Sequence, residues 1–179
     1  ERWFVNGQPL HSRGVCNCPA VMGDPKRNLY PQRWAEVPNK AYLPGDRLQA
    51  LDADGIDAEV LFPNDPSSFH QYNDAEFEIA CVQAYNDSLG ELTRASKRFI
   101  SLAMIPLLCG MDTIVTEVRR AESTGHRGIV MFALPSLMVV SLPHIGEPYW
   151  YPLWEVCQEL AMPIHFHASA GLARKLTFP

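Results

Sequence analysis

From residue 46 onward, short apolar runs alternate with segments of helical periodicity, and this alternation restricts the possible folds more than any other feature. Four nearly continuous apolar runs predict buried strands at residues 58–62, 99–105, 128–132 and 163–167. Strands that are apolar on both faces and that alternate with helices belong to parallel sheets, whose two faces are both covered. The sequence therefore predicts an α/β architecture with a parallel sheet.

The helices that precede these strands carry recognisable start signals. Asp46 is suited to cap a helix over residues 47–54, and a second helix is predicted over residues 74–95. Asp112 is suited to cap the third helix, and Pro152 is suited to be the first residue of the fourth. The inward-facing stripe predicted for the second helix consists of Phe77, Cys81, Tyr85, Leu89 and Leu92.

A parallel sheet can be open and doubly wound, or it can be part of a barrel. No predicted strand is followed by the Gly-rich turn that binds dinucleotide phosphates, so the barrel is favoured. A complete (β/α)8 barrel has about 250 residues, whereas this chain has 179 residues. We therefore expect residues 46–179 to form a partial (β/α)8 TIM-type barrel that lacks strands at one or both ends.

Residues 1–45 have a different composition from the rest of the chain. Pro and Gly recur too often for a long helix or a central strand, so this segment is predicted to be mostly loop. Its aromatic residues predict that it packs on the barrel or on a partner subunit instead of forming a disordered tail. These residues are Trp3, Phe4, Tyr30, Trp34 and Tyr42.

The overall composition argues against several classes of function. A formal net charge of −5 provides no basic surface for nucleic acid. No apolar stretch approaches the roughly 20 residues of a membrane span, so we expect a cytoplasmic protein without membrane contact. The five cysteines are expected to be reduced, and Cys16 and Cys18 are too few ligands for a zinc site of their own.

The last predicted strand contains the main candidate metal ligands. Side chains alternate between the two faces of a strand, so His165 and His167 share one face. If this face lines the barrel interior, His167 lies at the carboxyl end of the strand, where barrel enzymes have their active sites. We predict that His167 binds a divalent metal ion. His165 is a weaker candidate, because a core histidine or a hydrogen-bonding partner of the ligand would explain it as well.

Polar residues also follow the first and third predicted strands. Asn64 and Asp65 come directly after the first strand and His70 lies further along the same loop, so all three are candidates to bind substrate. The turn-forming character of this loop explains Asn64 and Asp65 equally well. His144 and Glu147 lie in the loop after the third strand, but their spacing matches no ligand pattern.

Several segments together resemble a known family. The most specific is residues 142–169 (LPHIGEPYWYPLWEVCQELAMPIHFHAS), in which an aromatic-rich helix start leads into a strand that ends in histidine. Residues 48–64 (LQALDADGIDAEVLFPN), 99–106 (FISLAMIP) and 125–131 (GHRGIVM) add shorter similarities. With these segments the chain resembles the amidohydrolase-related family typified by aminocarboxymuconate semialdehyde decarboxylase.

This resemblance implies a (β/α)8 barrel with one divalent metal ion, commonly zinc, and hydrolysis or non-oxidative decarboxylation of a small carboxylic acid. The predicted strands would be the second to the fifth of the barrel, and His167 matches the metal histidine of the fifth. The family's HxH pair on the first strand, its aspartate on the last and its catalytic histidine on the sixth have no match here. The resemblance also implies a homodimer.

Two alternatives stay open. A truncated or degenerate barrel without catalytic activity, serving as a binding or scaffold protein, would explain the missing ligands and would hold no metal. A metal-independent barrel enzyme would use Asp65, His144 or Glu147 as acid and base, and it would stay active in the presence of a chelator.

Overall fold

The chain forms two compact units, Glu1–Asp57 and Ala58–Pro179. A small core in the first unit is built around Val15, Cys18 and Val37. The computed structural model describes residues 1–5, 7–9, 14–16, 18, 26, 28–63 and 69–167.

The first unit begins with little regular structure, as its Pro and Gly content predicts. Strands β1 (Phe4–Val5) and β2 (Gln8–Pro9) pair antiparallel. Short 3-10 helices follow at Trp34–Glu36 and Asn39–Ala41. The predicted packing of this segment on a barrel or a partner subunit stays a prediction.

Helix α1 (Pro44–Asp54) completes the first unit and begins earlier than predicted. Leu43 is its N-cap and Pro44 its first residue, so Asp46 lies within the first turn and does not cap the helix. Proline is favoured at this position because the N–H that it lacks would have no acceptor within the helix. Gly55 ends the helix in the left-handed conformation (φ 67°, ψ 30°).

The second unit contains the predicted parallel strands. Their pairings are β3 with β4, β5 with β6, and β6 with β7, all of them parallel. Strand order across the sheet therefore follows strand order along the chain, as in a barrel, whereas a doubly wound sheet reverses its order at a switch point. The strands are β3 (Glu59–Leu61), β4 (Phe99–Ser101), β5 (Ala103–Met104), β6 (Ile129–Phe132) and β7 (Ile164–His167).

β4 and β5 are two halves of the single strand that was predicted over residues 99–105. Leu102 lies between them, and its N–H donates to the carbonyl of Leu61 over 3.2 Å. On the other side, the N–H of Ala103 donates to the carbonyl of Gly128 over 2.9 Å. Backbone hydrogen bonds therefore continue through the break and join the strands of the second unit.

The sheet is strongly curved. Phe62 follows β3 directly, and its ring centroid lies 5.6 Å from that of His165 on β7. In a flat sheet the two strands would be separated by about 14 Å, because two strand positions lie between them. The side chains from both edges therefore converge over one concave face, as they do in the interior of a barrel.

Helices cover the convex face and form the main core with it. α2 (Ala75–Ala95) packs on β4 and β5, and α3 (Met111–Ser123) packs against α2 and α5 (Tyr151–Glu159). The segment after β6, which was predicted only as a loop, contains helix α4 (Pro135–Met138) and a 3-10 helix at Pro148–Trp150. The main core includes Ala103, Ile114, Val118, Ile129, Met131, Leu153 and Val156.

Two helix starts differ from the predicted ones. Gly110 is the N-cap of α3, so Asp112 lies in the first turn and does not cap the helix. The backbone of Gly110 (φ 78°, ψ 167°) is a conformation that residues with a Cβ rarely adopt. α5 begins at Tyr151, so Pro152 is its second residue and not its first.

The buried face of α2 is rotated relative to the predicted stripe. Phe77, Cys81 and Tyr85 are only half-buried, whereas two polar side chains of the same helix are buried. A pattern that counts apolar residues cannot find a face that includes polar ones. The buried residues of α2 are Glu78, Val82, Asn86, Leu89, Gly90 and Leu92.

Asn86 supplies hydrogen bonds to β5 where β3 has already ended. Its Nδ2 donates to the carbonyl of Met104 over 3.0 Å, and its Oδ1 accepts from the N–H of Met104 over 2.9 Å. Nδ2 also donates to Oε1 of Glu117 over 2.7 Å, and Glu117 accepts from the Arg120 guanidinium over 2.8 Å. A helix side chain thus takes the place of a neighbouring strand.

His126 lies in the turn between α3 and β6 and is only 2% exposed. Its Nδ1 lies 3.1 Å from the carbonyl oxygen of Ala121, and its Nε2 has no hydrogen-bond partner among the described residues. Burial lowers the pKa of the imidazole, and the positive charge of Arg120 lowers this pKa further. The folded protein therefore binds a proton at His126 less readily than the unfolded chain does.

We expect His126 to make the protein less stable in acid. As the pH falls through about 6.5, the unfolded chain binds more protons at this residue than the folded protein does, because the pKa of His126 is lowered on folding. The free energy of unfolding should therefore be lower at about pH 5.5 than at about pH 7.5 because of this residue. Urea unfolding at both pH values should show a smaller loss of unfolding free energy for His126→Gln than for the wild-type protein. An equal loss in both proteins would contradict the prediction.

Candidate functional site

β7 places His165 and His167 on the concave face of the sheet. The strand register pairs His165 with Val130 and His167 with Phe132. The contact between Phe62 and His165 identifies this face as the interior one. The two imidazoles therefore share the face that the alternation predicted.

His165 lies deeper in the interior, against the start of β6. A Cβ atom at Gly128 would lie 3.2 Å from Cδ2 of His165 and 2.8 Å from the carbonyl oxygen of Pro163. A side chain at position 128 would therefore displace the imidazole or separate the two strands. Glycine at this position allows the close approach that seats His165.

His167 ends β7 at the carboxyl edge of the sheet, next to an aromatic ring. The centroid of the Phe132 ring lies 6.2 Å from that of the His167 imidazole, with an angle of 79° between the planes. Phe132 is the last residue of β6 and is only 4% exposed. The imidazole of His167 therefore stands edge-to-face against a buried aromatic side chain.

His70 reaches the same ring from a different part of the chain. It begins the 3-10 helix His70–Tyr72 and is 9% exposed. Its ring centroid lies 6.4 Å from that of Phe132, with an angle of 71° between the planes. Phe77 of α2 contacts Tyr72 at a centroid distance of 5.6 Å and so holds the 3-10 helix against α2. His70 and His167 thus meet at one aromatic ring.

The sequence did not single out Phe132, although its pattern contains the relevant signal. Phe132 is the last residue of a predicted strand. In the observed register, the last residues of β6 and β7 lie side by side. The neighbouring strand ends in His167, so knowledge of strand order and register would have identified the pair. His70 could not have been assigned to the same group, because no local sequence pattern shows which strand ends it contacts in the fold.

Of the other predicted residues, His144 and Glu147 are not part of this group. Asn64 and Asp65 lie outside the described residues. His144 and Glu147 are exposed and belong to a local turn, in which Nδ1 of His144 accepts from the N–H of Gly146 over 3.2 Å. The N–H of Glu147 donates to the carbonyl of His144 over 2.9 Å in the same turn.

The ligands at the carboxyl edge are of the right kind for a metal ion but do not form a complete set. Imidazole nitrogen is a common zinc ligand, and a catalytic zinc usually has three protein ligands. His167 lies at this edge and His165 one layer deeper on the same face. Within the part of the chain that the structure describes, no group of three His, Cys, Asp or Glu side chains could hold a metal ion.

A cavity of about 390 Å³ opens among the loops that follow β3, β5 and β6. The three histidines His70, His165 and His167 are not among its lining residues. It is therefore separate from the histidine group at the strand ends. Its lining includes Asn73, Leu107, Gly110, Leu142 and Tyr149.

A sequence model of the amidohydrolase family matches residues 24–178, which is most of the chain. The chain belongs to the amidohydrolase family. This membership, together with the sequential parallel sheet, identifies the second unit as part of a (β/α) barrel, as predicted. No curated protein sequence matches this amidohydrolase chain. None of the described helices is long and apolar enough to cross a membrane.

Solved structures of three enzymes share the fold of this amidohydrolase. 2,6-Dihydroxybenzoate decarboxylase from Rhizobium is 25% identical, covers 73% of this chain and 41% of its own, and has a TM-score of 0.61. 4-Oxalomesaconate hydratase from Rhodopseudomonas palustris is 22% identical, and the match covers 86% of this chain and 46% of the hydratase with a TM-score of 0.59. 5-Carboxyvanillate decarboxylase from Novosphingobium aromaticivorans is 21% identical, and the match covers 68% of this chain and 33% of the decarboxylase with a TM-score of 0.53.

Two of these neighbours have known ligands. A structure of 2,6-dihydroxybenzoate decarboxylase is complexed with 2,6-dihydroxybenzoate. The 5-carboxyvanillate decarboxylase is complexed with manganese and 4-hydroxy-3-methoxy-5-nitrobenzoic acid. The present chain spans less than half the length of these structures.

Proposed function

We propose that the protein carrying this chain is a metal-dependent enzyme that decarboxylates a small aromatic or unsaturated carboxylic acid without oxidation. The observation that carries the proposal is the meeting of His70 and His167 at the ring of Phe132, at the carboxyl edge of the sheet. The two decarboxylases among the structural neighbours support this reaction, and each is complexed with a benzoic acid. Hydrolysis of a similar acid is the second candidate, and the hydratase shows that water chemistry occurs on the same fold.

In this proposal His167 is a ligand of one divalent metal ion, and His165 is a weaker candidate for the same role. Two imidazoles favour zinc over metals that prefer oxygen ligands. The described residues leave the ligand set incomplete, so further ligands must come from other parts of the protein. The metal, when bound, would neutralise a substrate carboxylate and an oxygen next to it.

The residues of this chain would bind and enclose the substrate. Phe132 is buried and apolar, so its ring keeps water away from the strand ends. The protonated imidazole of His70 can bind a substrate carboxylate, or it can give its proton to the carbon atom that loses carbon dioxide. Asn64 and Asp65, on the loop before His70, stay predicted substrate-binding residues.

The proposal is tested on the natural protein that carries this chain. Elemental analysis should find about one metal ion per chain, with zinc as the expected metal. The protein should release carbon dioxide from hydroxybenzoic acids, and a chelator should stop the reaction until the metal is restored. Activity that persists in chelator would support the metal-independent enzyme. Absence of both metal and activity would support the scaffold protein.

Homodimer formation and a cytoplasmic location stay predictions.

A further inference from the structure

We propose that Phe132 is a positioning residue, which holds the imidazoles of His70 and His167 in the orientations that the site requires. This inference rests on the proposed function, because it takes His167 as a metal ligand. It goes further because Phe132 would neither bind the metal nor react. Its effect on metal binding would pass through His167, and its effect on substrate binding through His70 in addition to the exclusion of water.

The geometry of the three rings supports this role. Both histidine rings stand nearly perpendicular to the Phe132 ring, at centroid distances of 6.2 Å and 6.4 Å. Edge-to-face contact at about 4.5–7 Å is a preferred arrangement of aromatic rings. Rotation of either imidazole about its side-chain torsions would break this contact or drive the ring into Phe132.

Phe132 can act as a fixed reference because it is itself held in place. Its backbone lies in β6, between β5 and β7, and its side chain belongs to the main core of the second unit. The strand register fixes the backbone of His167 beside it, whereas the orientation of the imidazole depends on side-chain contacts, of which the Phe132 ring is one. His70 lies in a 3-10 helix outside the sheet, so strand pairing does not orient it. The ring of Phe132 is the feature that both side chains share.

The test uses the natural protein and a metal-binding measurement in addition to activity. Phe132→Leu keeps an apolar side chain but removes the ring, and it should weaken zinc binding by about tenfold to a hundredfold, as loss of residues that orient ligands does. Cobalt bound in place of zinc should show an altered visible spectrum, since this spectrum reports ligand geometry. Phe132→Tyr keeps the ring and should restore both the affinity and the spectrum.

Phe99→Leu is the matched control. Phe99 is 1% exposed and begins β4 at the opposite, amino end of the sheet, so the same substitution removes a similar volume from the core. Urea unfolding should show a loss of stability for both Leu variants, but Phe99→Leu should bind zinc and cobalt as the wild-type protein does. If both variants lose metal affinity equally, or if Phe132→Leu loses none, Phe132 has no positioning role.

Failure of the proposed function would be recognised separately. In that case the wild-type protein would bind no metal, or His167→Ala would bind it unchanged, and the inference about Phe132 would fall as well. If the wild-type protein binds metal, His167→Ala does not, and Phe132→Leu is normal, only the inference about Phe132 is wrong.

Discussion

His167→Ala should lower the metal content of the natural protein from about one ion per chain to almost none. Loss of residues that only orient a metal ligand costs about tenfold to a hundredfold in affinity, so loss of a ligand itself should cost at least about a hundredfold. Turnover should fall with the metal, because the proposed chemistry requires it. Elemental analysis after dialysis and a carbon dioxide release assay measure the two effects.

Two further histidine variants make the result specific. His144→Ala removes an imidazole from an exposed turn after β6, and it should leave metal content and turnover unchanged. If His144→Ala abolishes turnover while His167→Ala does not, the metal-independent enzyme is the better description. His165→Ala should lose less metal than His167→Ala, because His165 lies deeper in the interior, against the start of β6.

Asn86→Leu should destabilise the fold by roughly 3–5 kcal/mol. The substitution keeps a side chain of similar size but removes hydrogen bonds to both backbone groups of Met104 and to Glu117. Each buried polar group that is left without a partner costs about 1–3 kcal/mol, and more when it is charged. Urea unfolding followed by circular dichroism measures the change.

Ser88→Leu is the matched control for this variant. Ser88 lies on the exposed side of the same helix, so its replacement should change the free energy of unfolding by no more than about 0.5 kcal/mol. A similar loss in both variants would indicate that leucine disturbs α2 in general. A loss below about 1 kcal/mol in Asn86→Leu would show that the hydrogen bonds to β5 add little to stability.

Patterns in consecutive residues were sufficient to predict the main helices and strands of the second unit. Pro63 and Pro106 end the apolar strand runs, and periodic apolar residues predicted α2, α3 and α5. These features depend on neighbours along the chain, so they can be recognised without knowledge of the fold. Helix starts were less predictable, because Leu43 and Gly110 take the cap positions that were assigned to nearby aspartates.

Contacts between distant segments determine the rest. The buried face of α2 includes Asn86 because β3 ends opposite Ser101 and does not pair with Met104 of β5, and this offset appears only when the strands are paired. In the same way, His165 and His167 share a face by simple alternation, whereas Phe132 joins them through the register of β6 and β7. His70 joins through a 3-10 helix that packs against α2. Alternation along a strand is a property of the covalent backbone, but the meeting of three rings requires the pairing of two strands in one register and the packing of a 3-10 helix, which no local pattern contains.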